Sequence, residues 1–133
     1  MKISAKGQYA VRVMVEIAKS NELVSIASIA KSQGISPKYL EQVVSSLVKN
    51  GLLESERGVR GGYKLTKSAN QISIKSILDT TGDSCSLAPC QHGDCERKDC
   101  CNAMSVWTTL GGLINNYLEN VFLSDLTKNH RNL

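Results

Sequence analysis

Across the first fifty residues, apolar positions recur with a helical period in three separate blocks. From Lys6 to about Ser20, Ala10, Val13, Met14 and Ile17 follow i, i+3, i+4 and i+7 steps with Tyr9 beside them, which predicts an amphipathic first helix. Ser25 precedes Ile26, Ile29 and Ala30, the pattern of a short helix with a serine N-cap, and Gln33-Gly34 ends it. Ser36-Pro37 opens a third helix, because serine caps orphan amides and proline at the first helical position forfeits no needed donor. Its apolar face is Leu40, Val43, Val44, Leu47 and Val48, and Asn50-Gly51 stops it. The period then changes. Leu52 to Glu56 and Gly62 to Leu65 read as short strands joined by Arg57-Gly58-Val59-Arg60-Gly61, a connector too glycine-rich for a helix and basic at its tip.

Two short helices around a glycine-containing turn, followed by a basic hairpin, make a winged helix-turn-helix. The third helix presents Lys38, Glu41, Gln42, Ser45, Ser46 and Lys49 on its polar face, for the major groove, and the arginine-bearing wing reaches phosphates or a minor groove. Candidate DNA contacts are Lys6, Ser36, Lys38, Tyr39, Glu41, Gln42, Ser45, Arg57 and Arg60.

In the C-terminal third, Ala103, Trp107, Leu110, Ile114, Tyr117 and Val121 are spaced 4, 3, 4, 3 and 4 apart, a heptad seam. So short a chain has few helices left to cover that stripe, so a partner subunit is the expected cover, with Trp107, Leu110, Ile114, Tyr117 and Val121 at the interface. Gly111-Gly112 weakens helix propensity there and marks a close crossing. The polar tail from Thr127 to Leu133 is expected to fray.

Charge sharpens this division. Residues 1–64 carry ten Lys or Arg against five Asp or Glu (10 − 5 = +5), and residues 65–133 carry six against seven (6 − 7 = −1). The surplus therefore sits where a polyanion would be met. All five cysteines, Cys85, Cys90, Cys95, Cys100 and Cys101, fall within seventeen residues. Their odd number and the lack of an apolar leader argue against a secreted disulfide framework and for reduced thiols in the cytoplasm, available to zinc, iron or an iron–sulfur cluster. No run of eighteen apolar residues, the length needed to cross a membrane, is present. Gly58-Val59-Arg60-Gly61-Gly62 lacks the lysine and following helix of a phosphate-binding loop, and the two histidines, His92 and His130, supply no triad, so an enzyme is not expected.

Four blocks, Lys2 to Ala10, Ile35 to Gln42, Lys49 to Leu52 and Arg57 to Tyr63, resemble in order and spacing the signatures of the IscR/NsrR/CymR family of bacterial winged-helix regulators. The resemblance covers nearly the whole chain. It implies a homodimeric transcriptional regulator, usually a repressor, acting on a double-stranded operator. In the cysteine-bearing branch it also implies an iron–sulfur cluster, 2Fe-2S ahead of 4Fe-4S, that senses cluster status, nitric oxide or redox state. By the same resemblance, Cys90, Cys95 and Cys101, ahead of Trp107, are the ligands, with Cys100 as alternative to Cys101. Cysteines five apart would be rotated by roughly 140° on a helix, so they must converge from a loop, for which Gly82, Pro89 and Gly93 supply breaks.

The family's fourth ligands do not carry over, since the matching positions hold Met104 and Gln8. Cys85, Cys100, His92 and Glu96 are the local candidates, alongside an exogenous ligand. A zinc site competes, but C-x2-C knuckles are absent. A metal-free thiol switch would need a strained disulfide between Cys100 and Cys101. From another class, an electron carrier is opposed by the basic wing. The resulting architecture is mainly α with a small β-wing: 1–82 a winged helix-turn-helix DNA-binding domain, 83–101 the cluster loop, 102–126 the long dimerisation helix region and 127–133 a flexible tail.

Overall fold

Four serines begin four helices by the same physical device. Ser4, Ser25, Ser36 and Ser73 lie in extended backbone, and each side-chain oxygen accepts a hydrogen bond from the amide three residues on, at Gly7, Ser28, Tyr39 and Ser76. In the computed structural model, which describes residues 2–83, 87, 96–97 and 99–128, these start α1 (Ala5–Lys19), α2 (Ile26–Gln33), α3 (Pro37–Lys49) and α4 (Ile74–Asp79). Gly34 ends α2 in left-handed backbone at φ 66°, a conformation that costs glycine little. The later helices are α5 (Met104–Asn120) and α6 (Leu123–Leu126), and the wing strands are β1 (Leu53–Glu56) and β2 (Gly62–Leu65).

The expected architecture, mainly α with a small β-wing, is the one observed. The strands pair antiparallel with Leu53 opposite Leu65 and Glu56 opposite Gly62. A third extended piece joins them. Val24, in the loop before α2, exchanges hydrogen bonds with Tyr63 at 3.1 and 2.8 Å, so the wing is stitched to the helical domain along its second strand.

One core unites the elements. Ala10, Val13 and Met14 of α1 are fully buried, as are Leu40, Val43 and Leu47 of α3. Around α1 are packed α2, α3, α4, α6 and β2. Val48, grouped with the apolar face of α3 by its spacing, is 37% exposed because it lies at the edge of that face.

The chain after α5 returns to this core. Ile74 donates its N–H to Val121 O at 2.9 Å and Leu123 donates to Ile72 O at 2.8 Å. Leu123 is buried completely, and Asp125 accepts the Phe122 N–H to start the short α6. Residues 121–126 thus close the core built on α1 rather than merely extending α5, a contact with no local periodicity to announce it. Leu123→Ala is expected to lower unfolding free energy by about 2–5 kcal/mol, measured by urea denaturation. A loss below about 1 kcal/mol would show that this return does not hold the fold.

Candidate nucleic-acid interface and cysteine segment

The polar face of α3 is set by what its opposite face buries. With Leu40, Val43, Val44 and Leu47 turned inward, Lys38, Glu41, Gln42, Ser45 and Lys49 are exposed on the other side at helical spacing. Ser36 is exposed at the N-cap, where its hydroxyl is already committed to the Tyr39 amide. Tyr39 serves packing. It is half-buried, and its ring meets that of Tyr9 edge-on, with centroids 5.5 Å apart at 79°. Lys6 lies half-buried in the first turn of α1.

Arg12, absent from the expected contacts, organises this junction. Its guanidinium stands 5.2 Å over the Tyr9 ring and donates to Gln33 Oε1 and O at 2.8 and 2.9 Å, at the end of α2. Gln33 in turn donates to Glu16 at 3.1 Å. The cation therefore clamps α1 to the turn that aims α3. A lone arginine on an amphipathic helix gives no sequence signal for such a role.

The wing tip closes as a four-residue turn, with Gly61 N–H donating to Gly58 O at 2.9 Å and Gly58 at φ 130°. Arg57, Val59 and Arg60 are all exposed there. At the stem, Lys64 is held between Glu56 and Glu54 at 2.9 and 3.6 Å. The hydrogen bond to Glu56, with the charges of Glu56 and Glu54, lifts the lysine pKa above its ordinary value. Among the described residues, neither Arg57 nor Arg60 forms an ion pair, so the tip keeps its positive charge available while the stem does not.

A second polar cluster joins the start of α1 to the turn after α4. Asp83, directly after Gly82 at φ 76°, accepts from Ser4 N at 3.1 Å, Ser4 Oγ at 2.9 Å and Thr81 Oγ1 at 2.8 Å. Burial pushes this carboxyl up, but the three hydrogen bonds outweigh it and hold the group below the usual carboxylate range. Residue 7 must be small: a Cβ there would overlap Asp83 Oδ2.

Of the expected cluster ligands, Cys100 and Cys101 are placed, and Cys85, Cys90, Cys95 and His92 lie outside the described residues, as does the tail 129–133. Both placed thiols are free and exposed in irregular chain just before α5. Cys101 O accepts the Met104 N–H at 3.3 Å, so this residue runs straight into the helix. Glu96 is exposed. No group of three potential metal ligands occurs among the described residues. At the two matching family positions, Gln8 donates through Nε2 to Ile3 O and Met104 is half-buried at the start of α5.

The exposed apolar stripe of α5 shares Trp107, Leu110 and Tyr117 with the expected seam. Val106, Trp107, Leu110, Leu113 and Tyr117 are exposed by 40 to 67%. Gly111 is buried, Ile114 and Leu118 are half-buried, and α5 packs against α4, with Leu118 against the chain's own core. Val121 also packs against that core. Val106 and Leu113, missed because residues 106 and 107, and 113 and 114, are both apolar pairs, belong to the exposed side.

Gly62→Ala tests how the wing is anchored. A Cβ at residue 62 would stand 2.7 Å from Val24 O and 2.8 Å from Val24 C, and backbone cannot swing aside. The variant is expected to lose about 1–3 kcal/mol and to show faster amide exchange at Val24 and Tyr63. Exchange unchanged at both amides would contradict the anchoring role.

Comparison with known proteins gives a consistent picture. The sequence profile of Rrf2, an iron-dependent transcriptional regulator, matches residues 3–129. The chain is similar to the HTH-type transcriptional regulator IscR of Cronobacter sakazakii, with 39% identity over 132 residues, 97% of this chain and 82% of that one. It is 38% identical, over the same shares, to IscR of Escherichia coli K12. Among solved structures it is similar to CymR, the global cysteine regulator of B. subtilis, with a TM-score of 0.82 and 32% identity across 96% of each chain. It is likewise similar to T. potens IscR, with a TM-score of 0.73 and 33% identity across 95% of this chain and 85% of that one.

Proposed function

The chain belongs to the Rrf2 family of transcriptional regulators, and on that premise we propose that it binds an inverted-repeat operator as a homodimer, with an affinity that responds to an iron–sulfur cluster held by the cysteine segment. The family comprises DNA-binding winged-helix regulators and not enzymes, which bears out the resemblance drawn from the four sequence blocks. One observation carries the finer reading: the free thiol of Cys101 sits where irregular chain enters the helix bearing the exposed apolar stripe.

Each part follows from its own chemistry. On α3, Gln42 has the donor and acceptor needed to read an adenine edge, whereas Glu41 can only accept, as from cytosine N4. A carboxylate facing a polyanion is costly without such a donor, so Glu41 selects against sequences that lack one. Lys38, Lys6, Arg57 and Arg60 supply positive charge for phosphates, with the wing arginines also suited to a minor groove. Val106, Leu110, Leu113 and Tyr117, with Trp107, are the proposed dimer surface, to which Ile114 contributes its exposed edge. Burying five large apolar side chains against a second copy removes a stripe that water would otherwise cover.

The donor set suits the cluster, since free thiols are the usual protein ligands of iron–sulfur centres. Cys90, Cys95 and Cys101 are the proposed ligands of a 2Fe-2S centre, with Cys100 as alternative and Cys85, Cys100, His92 or Glu96 as fourth. When bound, such a group supplies a prosthetic centre whose occupancy and charge follow iron supply and oxidants. The function is assigned to the cytoplasm, where such thiols stay reduced. No helix among the described residues is long and apolar enough to cross a membrane. The proposed division of labour is that 1–82 reads DNA, 83–101 holds the cluster and α5 dimerises, while 121–126 return to the core and 127–133 is the tail.

Anaerobic purification should give a coloured protein containing iron and acid-labile sulfide, and Cys95→Ser should bleach it. A colourless wild type with stoichiometric zinc would sink the cluster reading in favour of a zinc site. Leu113→Asp should sediment as a monomer, whereas a stable dimer would move the interface elsewhere. The Arg57→Ala, Arg60→Ala double variant should bind all duplexes more weakly and lower the salt slope by about one unit per lost phosphate contact. Unchanged affinity and slope would remove the wing from the mechanism.

A further inference from the structure

Asp83 stands at the point where the folded core hands the chain to the cysteine segment. Behind it, α4 and its closing turn are firmly seated: Ile77 and Leu78 are buried, and Thr81 and Gly82 N–H groups bond back to Leu78 and Asp79 carbonyls. Ahead of it lie the cysteines. Its half-buried carboxylate spans 79 residues of sequence to accept both the N–H and the Oγ–H of Ser4.

Ser4 is itself the N-cap of α1, and its Oγ accepts the Gly7 N–H at 3.0 Å. Asp83 therefore orients the cap through a shared hydroxyl, and its negative charge lies at the positive end of a fifteen-residue helix dipole. The fit is close, because Gly7 has no side chain to keep the carboxylate away. Five residues beyond Ser4, Tyr9 meets Tyr39 of the DNA-reading helix edge-on, under the Arg12 guanidinium. Cysteine segment, α1 cap and α3 thus form one continuous set of contacts.

We propose that Asp83 is a positioning residue for DNA recognition: by fastening the first residue of the cysteine segment to the α1 cap, it transmits the state of that segment to the placement of α3. This deepens the proposed function and rests on its cluster reading. Displacing Asp83 withdraws the carboxylate. The Ser4 N–H and hydroxyl then lose their acceptor, the first turn of α1 loosens, and Tyr9 shifts beneath Tyr39. Each step uses a hydrogen bond or ring contact that is already in place. The coupling can be no larger than the difference in how the two states of the segment hold this latch.

The test compares operator affinities of cluster-loaded and metal-free protein for wild type and Asp83→Ala, alongside iron content and sedimentation of each. Wild type is expected to show a ratio of about 5- to 150-fold between its two forms, and the variant a ratio below about twofold at unchanged iron content and dimer mass. A residue that only stabilised the helix would lower both affinities or the melting temperature and leave the ratio at the wild-type value, which would overturn the latch alone. A wild-type ratio of one would overturn the cluster-responsive reading and the latch with it. Should Asp83→Ala fail to fold or lose iron, Ser4→Ala, which removes only the shared hydroxyl, carries the same comparison. Its ratio is expected to fall below that of wild type, and an unchanged ratio there overturns the proposal equally.

Discussion

Burial of one helix face governs everything else in this chain. Ala10, Val13, Met14 and Ile17 of α1 are shut away from water by α2, α3, α4, α6 and β2, elements drawn from almost the whole sequence. At about 0.8 kcal/mol per buried methylene, that face accounts for a large part of the small net stability a domain of this size can hold. Its consequence for function is mechanical. The reading helix, the wing and the base of the cysteine segment all rest on α1, so none of them can move far without disturbing its packing.

Polar contacts then decide where the packed elements point. The Arg12 clamp fixes the turn before α3, the Tyr9–Tyr39 contact sets the tilt of its first turn, and the Val24–Tyr63 exchange seats the wing. These are few and specific. Surface charge is divided along the same lines: Lys64 is neutralised at the wing stem by Glu54 and Glu56, leaving Arg57 and Arg60 at the tip to meet an anion. Such division concentrates positive potential where the hairpin projects, which favours encounter with a duplex.

Local features of the sequence announce the DNA-reading half. Ser25, Gly34, Ser36 and Pro37 are start and stop signals whose physics needs only a few neighbours, and the helices begin and end at them. The wing followed from glycines and a change of period. What stayed hidden depends on distant partners. Nothing near Leu123 foretells its place in the core, and nothing near Asp83 foretells Ser4. On α5 the periodicity was real but ambiguous in phase: apolar neighbours at 106 and 107 and at 113 and 114 support two overlapping stripes, and the fold leaves Val106 and Leu113 exposed while Val121 packs inward. The cysteine spacing pointed to metal chemistry, while the proposed ligands Cys90 and Cys95 lie outside the described residues.

If α1 carries the reading elements and the α5 stripe as one body, a dimer must present its two α3 helices at one separation and one angular phase. The direct measurement starts from an operator selected from random duplexes and compares it with a version whose half-sites are moved apart by about five base pairs, half a helical turn. The account predicts that the displaced half-sites face opposite sides of the duplex and that affinity falls to that of a single half-site. Equal affinity for the two duplexes would show that the DNA-binding units are flexibly joined, and would contradict the account.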